Sequence, residues 1–167
     1  YISLLFFSAL GLSLLVSSVE LITIYISIEL ATIPLSILAA FHTNKNASEA
    51  GLKFLIIGGI SSAIMLYGMV LLYGLTGSLT LDGISSVLTL TNDVAYTESI
   101  LWGLSLLLIL AGIGFKIAAV PFHMWAPDFY QAAPTPVTTF IATASKVAGF
   151  AILIRVLVTI SGVSTSS

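Results

Sequence analysis

The chain has 167 residues, of which 58% are apolar and only 7% are charged. Soluble domains are about one quarter charged, so this composition excludes a soluble enzyme, a nucleic-acid-binding domain and a disordered tail. A net charge of −2 provides no basic surface for nucleic acid, and the absence of cysteine excludes disulfides, iron–sulfur clusters and thiolate zinc sites. The sequence therefore predicts an all-α, polytopic membrane protein.

Apolar runs in chain order predict five transmembrane helices within a single domain, 1–167. The expected helices cover about 1–16, 19–41, 49–75, 100–121 and 134–160. A polar extramembrane connection at about 76–98 carries Asp82, Asp93 and Glu98, and residues 79–88 within it are a candidate interfacial helix. Because neither an initiator methionine nor a signal-peptide pattern is present, residue 1 is not expected to begin an intact gene product.

Two short-range signals predict where helices begin. Ser17 and Glu20 have the spacing of a capping box, which predicts that Ser17 caps the second helix. Glu49 and Lys53 stand four residues apart in the favourable order, which predicts an ion pair in the first turns of the third helix.

Basic residues predict the orientation in the membrane. The second loop, between the second and third helices, carries Lys45, and Lys53 lies just inside the next helix, whereas the third loop is acidic. Since basic loops stay on the cytoplasmic or matrix side, the second loop is expected there with residue 1 and the turn at Trp125. The first and third loops are expected on the opposite side. Arg155, near the far end of the last helix, counts against this assignment.

Three ionisable side chains lie well inside apolar runs: Glu29, Lys116 and Lys146. Each charge costs about 2.5–3.5 kcal/mol at mid-membrane, so some interaction must offset the total. One reading is a buried ion pair, Glu29 with one lysine, that only joins helices. Since one acid cannot neutralise two lysines, the other reading is a set of proton carriers. Because pairing offsets part of this desolvation cost, we expect Glu29 and Lys116 to approach within a hydrogen bond or a one-water bridge.

Prolines break the helices next to these side chains. Pro34 cannot donate to the carbonyl of Leu30, and Pro121 cannot donate to the carbonyl of Ile117. Each freed carbonyl lies one position after an ionisable residue. Backbone without helical hydrogen bonds is tolerated in membranes where it lines a cavity or contacts water. A broken helix is therefore predicted near 116–121. A simple packing kink is the alternative.

Histidines offer one further candidate. His123 is either a proton entry or exit group, since histidine titrates near neutral pH, or an interfacial residue anchored beside Trp125. His42 and His123 have no nearby partners at ligand spacing, so no metal site is predicted. No phosphate-binding or nucleophile motif is present, and no cofactor is expected to bind this chain.

Residues 112–128 and 133–138, together with Lys146, closely resemble the antiporter-like membrane subunits of respiratory complex I. Residues 48–54 and 66–74 narrow the resemblance to the subunit 2 family, called subunit N in bacteria. The resemblance implies a proton-translocating subunit of an NADH:ubiquinone oxidoreductase. It also implies that NADH, FMN, iron–sulfur clusters and ubiquinone are bound by other subunits.

The resemblance also assigns roles to individual residues. Glu29 matches the essential glutamate of the family's fifth helix, and Lys116 matches the lysine of its broken seventh helix. Lys146 matches the eighth-helix lysine of a central polar axis. In that family, redox chemistry elsewhere changes the glutamate–lysine pairing and moves protons.

The matched region is the first of two inverted five-helix repeats, the fourth to eighth helices. The chain is thus expected to be a fragment or a split-gene product. The expected partners are other membrane-arm subunits, lipids, and a second chain or segment whose repeat packs on the 144–149 face. A mitochondrial inner membrane is expected, with a bacterial plasma membrane as the alternative. Two other functions stay open: a subunit of a related cation/proton antiporter or membrane-bound hydrogenase, and a non-transporting scaffold.

Overall fold

A computed structural model describes residues 1–42, 44–90 and 96–160, and it is helical almost throughout. Asp93 lies outside the described residues, as does the side chain of Glu98. The elements, in chain order, are α1 (Ile2–Ser17), α2 (Leu21–Ala39), α3 (Lys45–Thr76), α4 (Leu81–Leu90), α5 (Tyr96–Ile117), α6 (Ala126–Ala132), α7 (Thr135–Phe140), a π-helical turn (Ile141–Ser145) and α8 (Lys146–Ile160).

Four helical segments in the described part of the chain are long and apolar enough to cross a membrane. They are Leu21–Ala39, Lys45–Thr76, Ser99–Ile117 and the continuous segment Thr135–Thr159. The fifth predicted span, α1, is apolar but has only 16 residues. At 1.5 Å per residue it extends about 24 Å, somewhat less than a bilayer core. The prediction of an all-α, polytopic membrane protein is confirmed.

Helix starts differ from the predicted ones because other residues act as caps. The capping-box prediction is wrong: Ser17 is the last residue of α1, and its hydroxyl donates to the carbonyls of Ser13 and Leu14. Glu20 precedes α2 without a side-chain capping bond. In α3, Asn44 accepts a hydrogen bond from the amide of Ala47 at 2.8 Å, so the helix begins before position 49.

The predicted extramembrane connection contains a helix of its own. α4 (Leu81–Leu90) lies inside the expected loop at 76–98 and largely overlaps the candidate segment 79–88. Its Leu81 and Ile84 are buried against the helical bundle. The polar stretch is therefore a short packed helix rather than an unstructured loop in its described part.

Close helix contacts occur where side chains are small. On α3, Gly68 lies against the backbone of Ser105, so close that a Cβ atom there would lie 2.7 Å from the Ser105 carbonyl oxygen. On α5, Gly112 lies directly against Met65. Helix interfaces in membranes favour small residues because they let backbones approach. These contacts fix the depth of α5 relative to α3.

The buried apolar side chains form two clusters. We call the first the aliphatic cluster; its members include Ile28, Ala31, Met65, Ile113, Ala148, Ile152 and Val156. We call the second the aromatic cluster; its members include Leu35, Phe54, Phe115, Trp125, Phe129, Val137 and Ile141. Within the second, the rings of Phe54 and Trp125 have centroids 4.7 Å apart. The two clusters divide the bundle along its length.

The loops group on two sides of the bundle as predicted. The amide of Leu21 donates to the carbonyl of Leu79, and the amide of Leu81 donates to that of Val19, each at 2.9 Å, which joins the first and third loops. At the other end, the Lys53 ammonium lies 2.8 Å from the Asp128 carboxylate, which joins the start of α3 to α6. The absolute orientation stays a prediction.

Labelling can decide the orientation, because the chain has no native cysteine. We expect Lys45→Cys to react with an impermeant maleimide only from the cytoplasmic or matrix side, and Asp82→Cys only from the opposite side. Inside-out and right-side-out vesicles of the same membranes provide the comparison. Labelling of both positions from one side would show that the topology is wrong.

Candidate functional site

The predicted broken helix is present next to Lys116. α5 ends at Ile117, Ala118 has a φ of 56°, and the Val120–Pro121 peptide bond is cis. Helical structure resumes at α6. The last turn is held by a hydrogen bond from the amide of Ala119 to the carbonyl of Gly114 at 2.8 Å. The end of α5 thus lies inside the protein, where its last carbonyls need other partners.

Lys116 is buried and points from α5 towards α2. Its side chain is 9% exposed, and Nζ lies 3.5 Å from the carbonyl oxygen of Ile28. That distance is longer than an ordinary N–H···O bond. The same carbonyl accepts a hydrogen bond of 2.5 Å from the Thr32 hydroxyl. The ammonium, with three donors, therefore keeps most of its hydrogen-bonding capacity for other groups.

Glu29 lies beside Lys116 without touching it. Among the described side chains, ion pairs join Lys53 to Glu49 and Asp128, but none joins Glu29 to Lys116. Oε1 of Glu29 is buried and has no hydrogen-bond partner among the described residues. The two charges are still close enough to interact electrostatically. The expected direct hydrogen bond is therefore not formed, and the water-bridged arrangement stays a prediction.

The geometry of α2 explains this outcome. Lys116 reaches the carbonyl of Ile28, and Glu29 is the next residue, about 100° further around the helix. The carboxylate therefore leaves α2 in a different direction from the carbonyl that the ammonium contacts. The carbonyl that Pro34 was expected to free, that of Leu30, is not the one that Lys116 contacts.

Lys146 binds the carbonyl that the helix break frees. Its Nζ donates to the carbonyl of Ile117 at 3.1 Å and lies 5.7 Å from the ring centroid of Trp125. The indole N–H of Trp125 donates to the carbonyl of Phe115 at 3.2 Å. Two side chains thus bind carbonyls at the end of α5, and that of Phe115 also accepts from the amide of Ala118. The prediction that the carbonyl of Ile117 lacks its helical hydrogen-bond donor is confirmed, and Lys146 is its partner.

A π-helical turn, Ile141–Ser145, immediately precedes Lys146. This turn is not among the predicted elements. The hydroxyls of Thr139 and Thr143 donate to the carbonyls four residues earlier, at 2.9 and 2.8 Å. Such back-bonding competes with regular helical hydrogen bonds and often bends a helix, so the run of threonines is the available signal. π-turns are frequent at functional sites.

His123 lies apart from the other candidates. It is exposed in the turn between α5 and α6, and its backbone carbonyl accepts from the amide of Ala126. Trp125, in contrast, is buried in the aromatic cluster. The structure therefore brings Lys116, Lys146 and the helix break together, places Glu29 close by, and leaves His123 at the surface.

A surface cluster links the start of α3 to α6. Lys53 lies 2.8 Å from both Glu49 and Asp128, and all three side chains are about half exposed. The Glu49 contact was predicted from spacing, whereas the Asp128 contact joins residues far apart in sequence. Exposed pairs contribute about 0–1 kcal/mol each, so the cluster mainly orients α6.

Comparison with known proteins places this arrangement in a family. The family described as NADH:quinone oxidoreductase/Mrp antiporter, transmembrane, matches residues 18–166. NADH-quinone oxidoreductase subunit N of Heliobacterium modesticaldum is 46% identical over 156 residues, covering 93% of this chain and 31% of that protein. Subunit N of Erythrobacter litoralis is 46% identical over 168 residues, covering 100% of this chain and 33% of that protein.

Two solved structures share the fold. A chain of respiratory complex I from Thermus thermophilus with bound aureothin aligns with a TM-score of 0.79 and 41% identity, covering 91% of this chain and 33% of that chain. A chain of a membrane-bound sulfane sulfur reductase, an archaeal respiratory complex, aligns with a TM-score of 0.77 and 31% identity. The alignment covers 91% of this chain and 31% of that chain. The chain thus spans about a third of the length of these relatives. The resemblance to the subunit N family is confirmed, and the chain belongs to the NADH:quinone oxidoreductase/Mrp antiporter transmembrane family.

Proposed function

We propose that this chain forms a proton-translocating part of the membrane arm of an NADH:quinone oxidoreductase. Relatives named NADH-quinone oxidoreductase subunit N support the proposal, as does the likeness to a chain of a respiratory complex I. NADH, FMN, iron–sulfur clusters and quinone belong to other subunits in this proposal. Protons move through Glu29, Lys116 and Lys146, while electrons move elsewhere.

The contact between Lys146 and the end of α5 is the observation on which the mechanism depends. Lys146 binds the carbonyl of Ile117, the residue directly after Lys116. Lys146 thus contacts the residue next to Lys116 on the broken helix, while the Lys116 ammonium faces the carbonyl of Ile28 on α2. A lysine side chain can hold and release a proton, so two lysines at one helix break provide successive positions for a proton path.

The proposed partners follow from the outward face of α8. The 144–149 face is the predicted contact with a second repeat, but Ala148 and Gly149 pack inside this chain, Gly149 against Ile117. The residues that point outwards are Val147, Phe150 and Ile154, all exposed. We propose that a second, inverted repeat, on the same or another polypeptide, covers this face, as inverted repeats do in transporters. Other membrane-arm subunits and lipids surround the remainder.

The membrane itself is part of the proposal. The chain is membrane-embedded, and the two subunit N relatives compared above come from bacteria. That origin supports a bacterial plasma membrane, whereas a mitochondrial inner membrane stays a prediction. In either case the membrane must hold a proton gradient.

Affinity purification of the intact complex tests the assignment. A tagged form of this chain, expressed in its own cells, should co-purify with bound flavin and with iron–sulfur clusters visible by electron paramagnetic resonance. Isolation without flavin or clusters would instead indicate a cation/proton antiporter. The matching family's description, which includes Mrp antiporters, is the observation that favours keeping this second candidate.

Replacing Glu29 separates transport from a scaffold role. We expect Glu29→Gln to assemble normally but to lower proton translocation per electron, because the neutral amide neither holds nor releases a proton. Proton uptake into vesicles, driven by NADH and divided by the NADH oxidised, gives the ratio. An unchanged ratio in the assembled variant would favour a non-transporting scaffold.

A further inference from the structure

Ser61, in the middle of α3, has a buried hydroxyl that the proposed pathway does not yet use. Its residue is 6% exposed, and its Oγ has no hydrogen-bond partner among the described residues. By contrast, the hydroxyls of buried Ser27 and Ser105 donate to the carbonyls of Thr23 and Trp102. Leaving a buried hydroxyl without a partner is energetically unfavourable, so this one is expected to serve another interaction.

The packing of α3 on α5 places Ser61 at the depth of Lys116. Ser61 lies one turn after Gly58 and one turn before Met65, hence on the same face of α3. That face meets α5: a Cβ atom on Gly58 would lie 3.4 Å from the Phe115 ring, and Met65 lies against Gly112. Ser61 therefore lies between these two contacts, opposite the turn of α5 that leads into Lys116.

The packing of α3 on α2 places Ser61 at the depth of Glu29 as well. A Cβ atom on Gly58 would lie 3.5 Å from the methyl group of Thr32. The two helices run antiparallel, so Ser61, one turn later on α3, lies level with Ile28, one turn earlier on α2. Ile28 is the residue whose carbonyl the Lys116 ammonium contacts, and Glu29 follows it.

Three incompletely bonded polar groups therefore share one level of the bundle. They are the Ser61 hydroxyl and the Glu29 Oε1, both buried without a partner among the described residues, and the Lys116 ammonium, which lies 3.5 Å from the Ile28 carbonyl oxygen. Buried polar groups of this kind are ordinarily joined by internal water. A hydroxyl donates one hydrogen bond and accepts others, so it suits the middle of such a chain.

We propose that Ser61 is a relay residue that links Lys116 to Glu29, together with internal water. The proposal rests on the proposed function of those two residues. In one transfer the Lys116 ammonium gives a proton to the hydroxyl–water chain, and the chain gives a proton to the Glu29 carboxylate. Lys116 becomes a neutral amine, Glu29 becomes a neutral acid, and the hydroxyl is restored. One proton moves, and no electron transfer is involved.

The test uses the intact complex with variants of Ser61. We expect Ser61→Ala to slow NADH-driven proton uptake by roughly threefold to tenfold, the effect of about one hydrogen bond. Ser61→Thr keeps the hydroxyl and should restore most of the rate. Ser105→Ala is the matched control, because Ser105 is also buried but its hydroxyl is already bonded to the Trp102 carbonyl.

The outcomes separate this proposal from the function on which it rests. If Ser61→Ala pumps like Ser105→Ala while Glu29→Gln loses coupling, Ser61 is not a relay residue. If Glu29→Gln also pumps normally, the proposed function itself fails. Should Ser61→Ala not assemble, a high-resolution map of the native complex decides: ordered water bonded to Ser61 Oγ supports the proposal, and its absence there overturns it.

Discussion

A complex carrying Lys116→Ala is expected to oxidise NADH while translocating far fewer protons. Lys116 is the buried ammonium nearest Glu29, and it lies at the end of the broken helix. Removing a positioned proton-transfer group commonly slows the transfer about a hundredfold or more, so the protons per electron contributed by this chain should fall to background. Electron transfer should survive in part, because the chain is not expected to bind a redox cofactor.

Two further lysine variants make this prediction specific. Lys116→Arg keeps the positive charge but does not release a proton near neutral pH, so it should be defective as well. Lys53→Ala removes a half-exposed lysine that pairs with Glu49 and Asp128, and should pump normally. Normal coupling in an assembled Lys116→Ala complex would remove Lys116 from the pathway.

The second large effect is expected at Lys146, where proton transfer and structure can be told apart. Lys146→Gln keeps a donor for the Ile117 carbonyl but no longer titrates, whereas Lys146→Leu loses both. We expect both variants to lose coupled proton translocation. Only Lys146→Leu should also lose stability, by about 0.5–1.5 kcal/mol, since it removes the hydrogen bond to a partly buried carbonyl.

Thermal unfolding of the purified complex, followed beside proton uptake, distinguishes these contributions. A Lys146→Gln complex that pumps normally would show that Lys146 only holds the end of α5. A Lys146→Leu complex as stable as the native one would show that the bond to Ile117 contributes little. Arg155→Leu is a useful control, because Arg155 donates to the carbonyl of Ser18 on the far side of the bundle.

Much of the fold follows from local rules that the sequence displays. Long apolar runs predict membrane helices because the bilayer interior requires about 20 apolar residues. Pro121 predicts the break after Lys116, since proline removes an amide and restricts the preceding backbone. The same reasoning identifies the carbonyl of Ile117 as one that needs a partner, and the structure supplies Lys146.

Other features depend on contacts that no local pattern encodes. Asp128 pairs with Lys53 only because α6 folds back over the start of α3. Ser17 fits a capping box, yet its hydroxyl bonds back to α1, because a hydroxyl near a helix end can serve either helix. The separation of Glu29 from Lys116 reflects the rotation of α2, which hydropathy alone does not determine.

The π-helical turn has a consequence for the whole last span. Val137 and Ile141, before or at the turn, pack in the aromatic cluster, whereas Ala148, Ile152 and Val156, after it, pack in the aliphatic cluster. Lys146 lies between these two groups, and Lys116 likewise lies close to where the two clusters meet on α5. Both lysines therefore lie at the boundary between the aliphatic cluster and the aromatic cluster. A polar group at this boundary interrupts neither hydrophobic core, which lets a stable membrane bundle keep charges at its centre.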